Sequence, residues 1–168
     1  MTGRGLYTID NIADFVGKEI GVTEWLTVTQ DRVNQFADVT EDHNPLHIDE
    51  ALSAEGPFGK TIAHGFLTLS LLTRFAELND FMPAGVKYGV NYGFERVRFM
   101  APVPVGCRIR NRQTLLGAAD KGKGRTIIRT RNAVEVENTP TPGLLADWLV
   151  MAIREDTGAE PATTSAAE

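Results

Sequence analysis

At 168 residues and 18.4 kDa, with 42% hydrophobic and 23% charged residues, the chain is the size and composition of one soluble domain able to bury a full core. A net charge of -5 argues against a general nucleic-acid binder, whose affinity for phosphates draws on concentrated Lys and Arg. The opening residues hold no apolar run of signal-peptide type, and no stretch reaches the ~18 apolar residues of a membrane span. A single cysteine, Cys107, cannot close an intrachain disulfide and fits a reducing compartment, so the cytoplasm is the expected location.

The first element is a short helix over Ile9 to Val16, with apolar residues at Ile9, Ile12, Ala13 and Val16, a cap from Asp10 or Asn11, and Gly17 to end it. Ile20 to Val28 reads as a strand. Thr29 offers an N-cap hydroxyl to a helix whose face repeats at Val33, Phe36 and Ala37. That helix delivers the chain to Asp42-His43-Asn44-Pro45-Leu46-His47-Ile48-Asp49, which crowds two histidines and two carboxylates into eight residues. Pro45 disfavours helical geometry at Asn44 and donates no N–H, so the middle of the segment is expected to be extended or turned. Asp49 can cap a short turn from Glu50 to Ala54, which Gly56-Pro57-Phe58-Gly59 ends.

From Gly65 to Leu78 the apolar residues surround the axis, the pattern of a helix buried on nearly every side. The second half supplies a sheet to bury it. Val86, Tyr88, Val90, Tyr92 and Phe94 alternate, then the parity switches to Val97 and Phe99, which predicts a bulge near Glu95 or Arg96. Val105, Cys107, Ile109, Gln113 and Leu115 share a face, opposite Arg108, Arg110 and Arg112. A hairpin about Gly117 to Gly124 pairs this strand with the next, setting Ile109 opposite Asn132, Gln113 opposite Ile128 and Arg110 opposite Arg131. Leu144 to Ile153, apolar on both parities, reads as a strand covered on both faces. The fold class is therefore α+β, a single domain in which an antiparallel sheet curls around one long central helix. The domain spans residues 1–155, and 156–168, without a large apolar residue, reads as a disordered tail.

Asp42 and His47 lie five positions apart across the proline-containing segment, close enough to converge on one water. With ordinary pKa values of ~3.9 and ~6.5 they offer a base and a proton carrier near neutral pH. The run Phe36-Ala37-Asp38-Val39-Thr40-Glu41-Asp42-His43-Asn44-Pro45-Leu46-His47, followed by Ala63-His64-Gly65, resembles the hydratase motif of the MaoC-like, (R)-specific enoyl-CoA hydratases. Tyr92-Gly93-Phe94-Glu95-Arg96-Val97-Arg98-Phe99 with Pro102-Val103 resembles that family's strand after the central helix, so the likeness covers Ile20 to Arg154.

The resemblance implies a hot dog fold, usually a homodimer, that hydrates trans-2-enoyl-CoA to (3R)-3-hydroxyacyl-CoA. No metal or cofactor is implied, coenzyme A being part of the substrate, and neither nucleic acid nor membrane is an expected partner. Asp42 and His47 match the catalytic pair and Asn44 its supporting asparagine, which puts Asn44 beside the substrate; Gly65 matches the glycine whose N–H binds the thioester carbonyl. An amide at a helix start is unpaired and sits at the positive end of the dipole, so it suits a developing enolate oxygen. His64 is expected to support the loop by a hydrogen bond, and His43 to lie on the surface. Leu69, Leu72 and Phe75 are candidates for setting acyl-chain length. The rival reading is a metal site of His43, His47 and His64 with Asp42 or Asp49. A thioesterase or an acyl-binding partner subunit on the same fold is the third. Six arginines, at 108, 110, 112, 125, 129 and 131, read as a solvated outer face paired with acids such as Glu135 and Glu137, or as contacts to coenzyme A phosphates.

Overall fold

Two short stretches of chain precede the first long helix, and both are broken where the sequence reads as continuous. In the computed structural model, which describes residues 7–154, the expected helix over Ile9 to Val16 is a single 3-10 turn, Ile12–Phe15. Asn11 does not cap it, because its side-chain oxygen already accepts from the Thr8 N–H at 2.7 Å. The expected strand over Ile20 to Val28 is two pieces, β1 (Glu19–Val22) and β2 (Leu26–Thr27), both laid on the same neighbouring strand. Between them Thr23 trades backbone and hydroxyl hydrogen bonds with Asn111.

Helix α1 (Gln30–Thr40) starts where Thr29 Oγ1 accepts from the Arg32 N–H. The short helices α2 (Pro45–Ile48) and α3 (Glu50–Ala54) follow, capped by Asn44 and Asp49. Helix α4 (Gly65–Asn79) is the long central one. It is striped after all: Leu67, Leu71, Leu72 and Phe75 are buried, whereas Phe66, at 66% exposure, and Ser70, Thr73, Arg74 and Glu77 face outward. Of the other apolar residues Leu69, Ala76 and Leu78 are half-buried against the core, so Phe66 alone stands out on the open side.

Strands β3 (Val86–Phe99), β4 (Arg108–Gly122), β5 (Arg125–Val136) and β6 (Leu144–Arg154) complete an antiparallel sheet of order β1-β4-β5-β6-β3, with β2 also on β4. The bulge foreseen in β3 lies between Phe94 and Arg96, and two others add to it, between Val86 and Tyr88 and between Asn91 and Gly93. Each bulge adds twist, which bends a long strand around the helix. Along β6 only alternate residues, Leu144, Ala146, Trp148, Val150 and Ala152, are buried among the helix-facing core; Leu145, Leu149, Met151 and Ile153 are half-buried, so the strand is fully covered on one face.

The β4–β5 hairpin keeps the expected parity but is offset by four residues, with Ile109 opposite Val136 and Gln113 opposite Asn132. The strands run on through Gly117, and the loop is only Lys123-Gly124, both with positive φ (53° and 67°), as a two-residue primed turn requires. This register puts Arg110 opposite Glu135 rather than Arg131. Inside, the apolar core is crossed by a seam of buried amides and hydroxyls: Asn111 Nδ2–H donates to Asn132 Oδ1 at 2.9 Å, and Gln113 Nε2–H to Thr130 Oγ1 at 3.4 Å. The whole is the hot dog arrangement expected above. Residues 156–168 lie outside the described residues.

Candidate active site

Helix α1 ends at Glu41, whose left-handed backbone (φ 59°) turns the chain so that Asp42 follows outside the helix. Asn44 is extended, as a residue before proline must be, and its Oδ1 accepts from the Leu46 N–H at 3.1 Å. Pro45 then opens α2 instead of holding the chain extended, because the first helical position has no use for an N–H. The turn presents His47 inward while His43, before the cap, points out to solvent with Nε2 3.0 Å from Asp38 Oδ1. The four-residue spacing of the two histidines therefore does not place them on one helical face. Asp49 is occupied as the cap of α3, its Oδ1 accepting from the Leu52 N–H at 2.9 Å.

The structure does bring together Asp42, His47 and His64, one potential ligand atom from each lying within 4.8 Å of the others. His47 Nδ1–H donates to the Ile62 carbonyl at 2.8 Å, which fixes the tautomer and leaves Nε2 with its lone pair. His64 is 2% exposed; its Nε2–H donates to the backbone oxygen of Asp42 at 3.0 Å, and its ring lies 3.8 Å from that of His47 at a tilt of 31°. The Asp42 carboxylate is 54% exposed and comes to 3.9 Å of the same His64 nitrogen. The donor set suits a metal poorly: the His64 nitrogen facing Asp42 carries a proton, and His43 and Asp49 are engaged elsewhere.

One residue that braces the site had no sequence signal. Gln30, in the first turn of α1, donates from Nε2 to the His47 carbonyl at 2.7 Å and accepts on Oε1 from the Thr61 hydroxyl at 2.6 Å, clamping α2 against the segment before α4. A lone glutamine at a helix start carries no pattern that would single it out.

At the start of α4, His64 is the N-cap residue but gives no side-chain cap. A Cβ on Gly65 would lie 3.1 Å from the Phe99 ring, so any larger residue there would push that ring back from the helix start. A cavity of about 290 Å³ opens beside it, bounded by His47, Gly65, Thr68, Phe58, Phe99 and Val103 among others. Its walls are mostly apolar, as an acyl site requires. Leu69, Leu72 and Phe75, expected to set chain length, are not among its lining residues: Leu72 and Phe75 are sunk in the core on the sheet side of α4. Phe58 and Phe99 line it instead, one from a Gly-Pro turn read only as a breaker and one from a strand read only for its parity.

Five of the six arginines pair with acids, as the first of the two readings expects, whereas Arg125 donates from Nε to the Gly122 carbonyl at 3.4 Å. Arg108 bonds Glu137, Arg110 and Arg112 share Glu135 at 2.6 and 2.8 Å, Arg112 also bonds Glu19, and Arg129 bonds Glu95 at 2.9 Å. Arg131 grips Asp147 with two hydrogen bonds, at 2.8 and 3.0 Å, and those bonds hold the Asp147 carboxyl below the usual range against the opposing effect of burial. Burial pushes the Tyr7 hydroxyl up, far from neutral pH, where it serves as a donor to the Phe81 carbonyl.

The sequence pattern of the family described as "MaoC like domain" matches residues 11–138. The chain belongs to this MaoC-like family. Among its relatives, 3-hydroxyacyl-thioester dehydratase Z of Mycobacterium tuberculosis is 44% identical over 146 residues, spanning 85% of this chain and 96% of that protein. Among solved structures similar to it, the monoamine oxidase regulatory protein from Archaeoglobus fulgius superposes with a TM-score of 0.74 at 25% identity, over 92% of this chain and 98% of that one. The R-hydratase PhaJ1 from Pseudomonas aeruginosa does so with a TM-score of 0.65 at 25% identity, over 83% of each. Dehydratases and hydratases thus surround the MaoC-like chain in sequence, and it is an enzyme of the hydro-lyase class with a hot dog fold. Among the described residues no helix is long and apolar enough to cross a membrane.

Proposed function

We propose that this MaoC-like enzyme adds water to trans-2-enoyl-CoA to give (3R)-3-hydroxyacyl-CoA, and catalyses the reverse dehydration, with Asp42 and His47 activating one water. The observation that best supports the reading is the bond from His47 Nδ1–H to the Ile62 carbonyl, which leaves Nε2 as the nitrogen available to accept a proton, in a residue that lies near Asp42 and lines an apolar cavity bounded also by Gly65. In the forward direction the water oxygen bonds to C3 as its proton passes to the pair. The C2–C3 double bond shifts so that negative charge gathers on the thioester oxygen, and a proton then returns to C2. The Gly65 amide, at the positive end of a fifteen-residue helix, stabilises that oxygen. Asn44 serves the substrate through the turn it caps, which fixes the direction of His47. No metal or cofactor takes part.

A second copy of the chain is proposed to complete the assembly. Strand β3 has no partner on its outer edge among the described residues, and Tyr88, Val90 and Tyr92 stand exposed along it, an arrangement that a matching edge would cover; sedimentation of the purified protein as a monomer would count against it. The cytoplasm remains the proposed location.

The deciding assay follows loss of enoyl-thioester absorbance with crotonyl-CoA and 2-octenoyl-CoA, in a chelator, for the wild type, Asp42→Asn and His47→Gln. Activity that persists in chelator and falls at least a hundredfold in both folded variants supports the reading, since general acid–base groups contribute about 10²–10⁴-fold. Activity abolished by the chelator and restored by a divalent ion would replace it with a metal mechanism. Release of free thiol without hydration would replace it with a thioesterase.

A further inference from the structure

The four residues Ile62-Ala63-His64-Gly65 touch each part of the proposed machinery. The Ile62 carbonyl holds the His47 ring, the His64 ring holds the main chain of Asp42, and Gly65 offers the amide that starts α4. The segment is itself anchored: the Ile62 N–H donates to the Leu46 carbonyl at 3.1 Å, and the Ala63 N–H donates to the Val103 carbonyl at 2.8 Å. The His64 carbonyl accepts from the Thr68 N–H at 3.2 Å and from Thr68 Oγ1 at 3.4 Å, so the residue that reaches Asp42 is fixed to the first turn of the central helix.

His64 is an uneconomical choice for a purely structural residue. Its ring is buried against Phe36 at 5.1 Å and His47 at 3.8 Å, yet Nδ1 meets no hydrogen-bond partner among the described residues. A buried polar atom without a partner destabilises the fold, and an apolar ring of the same shape would avoid that. What the imidazole adds over such a ring is the single hydrogen bond from Nε2–H to Asp42, a contact spanning 22 residues of chain.

We propose that His64 is a positioning residue that locks the Asp42/His47 pair to the amide at the start of α4, so that water and thioester carbonyl are held in one fixed relation. The inference rests on the hydratase reading above. His64 itself transfers no proton. It acts through the backbone of Asp42, whose carboxylate is 54% exposed, and through the tilted face of His47 at 3.8 Å. Released from this tie, Asp42 stays in the site but drifts relative to the helix start. A displacement of about 1 Å is enough to cost up to 10²-fold in rate.

The test compares His64→Phe, which keeps a buried ring and loses the donor, with His64→Gln, whose terminal N–H can take the place of Nε2–H. With crotonyl-CoA the phenylalanine variant is expected to lose ten- to a hundredfold in kcat with KM within twofold of wild type and with no fall in thermal midpoint. The glutamine variant is expected to recover most of that kcat. Nitrogen-15 chemical shifts of the His47 ring should keep the Nδ1–H tautomer in both variants. Equal losses in the two variants, a loss confined to KM, or a loss that tracks a lowered midpoint would overturn the proposal. An active wild type with an unimpaired phenylalanine variant removes this inference alone, whereas a wild type inactive on both enoyl-CoA substrates removes the hydratase reading and this inference together.

Discussion

Gly65→Ala tests the helix start directly. The new methyl would lie 3.1 Å from Cδ1 and Cε1 of Phe99 and 3.3 Å from Cγ, against an ordinary carbon contact of about 3.5–4.0 Å. The ring must therefore retreat by about 0.5 Å. Phe99 is about half exposed and touches Phe66 only edge-on, at 5.9 Å, so it can swing outward. Overpacking of a closed core costs about 1–3 kcal/mol, and here the low end applies. Alanine in place of glycine, at a backbone conformation it can adopt, returns about 0.4–1 kcal/mol by restricting the unfolded chain. The net change in stability should be within about 1 kcal/mol, a shift of a few degrees in the thermal midpoint for a chain of this size. Activity should fall far more, by about 10²-fold, because the methyl intrudes on the cavity wall beside the amide proposed to receive the thioester oxygen. Calorimetry and the crotonyl-CoA assay on one preparation separate the two effects. Adding Phe99→Ala should relieve the crowding and leave the rate low. A Gly65→Ala protein with wild-type kcat would show that the amide is not where the carbonyl binds.

Asp49→Ala should separate capping from catalysis: losing the bond to the Leu52 N–H costs about 1 kcal/mol, read by urea unfolding, while kcat stays within threefold of wild type because Asp49 does not face the cavity. A hundredfold loss of kcat would return Asp49 to the site. Asp147→Asn should alter the acid limb of stability. Since Arg131 depresses the folded-state pKa of Asp147, the carboxylate contributes stability that is present above its unfolded pKa of ~3.9 and is lost as pH falls through the folded value. The wild type should therefore lose stability below about pH 4 more steeply than the asparagine variant. Parallel curves from pH 5 to pH 2 would show that the pair contributes nothing.

Much of the site was legible because its chemistry is local in sequence. Asp42, Asn44, Pro45 and His47 lie within a single short stretch of chain, and the caps at Thr29 and Asp49 follow from side-chain type and position alone. The long central helix and the bulge near Glu95 were legible too, since each leaves a periodic trace. What failed was one local rule and whatever depends on distant partners. Pro45 was read against a helix because the rule for helix interiors was applied where a first turn begins. The cavity wall was misplaced onto Leu69, Leu72 and Phe75, because the residue pattern of a helix does not say which side meets the sheet and which meets substrate. The clamp made by Gln30 depends on partners 17 and 31 residues away and leaves no periodic trace.

The buried seam across β4 and β5 bears on how such a sheet avoids misassembly. Sliding β5 by four residues along β4 keeps every inward residue inward, so apolar pattern alone permits it. The slid arrangement would set Asn132 against Ile109 and Gln113 against Ile128, stripping side-chain amides of their partners at about 1–3 kcal/mol each, and would bring Arg110 against Arg131. Asn111, Gln113, Thr130 and Asn132 thus work as the wards of a lock, admitting one alignment of two otherwise interchangeable strands. Replacing all four with leucine and valine would yield a greasier core that leaves the choice of alignment to the turn and to outer-face pairs such as Arg110 with Glu135.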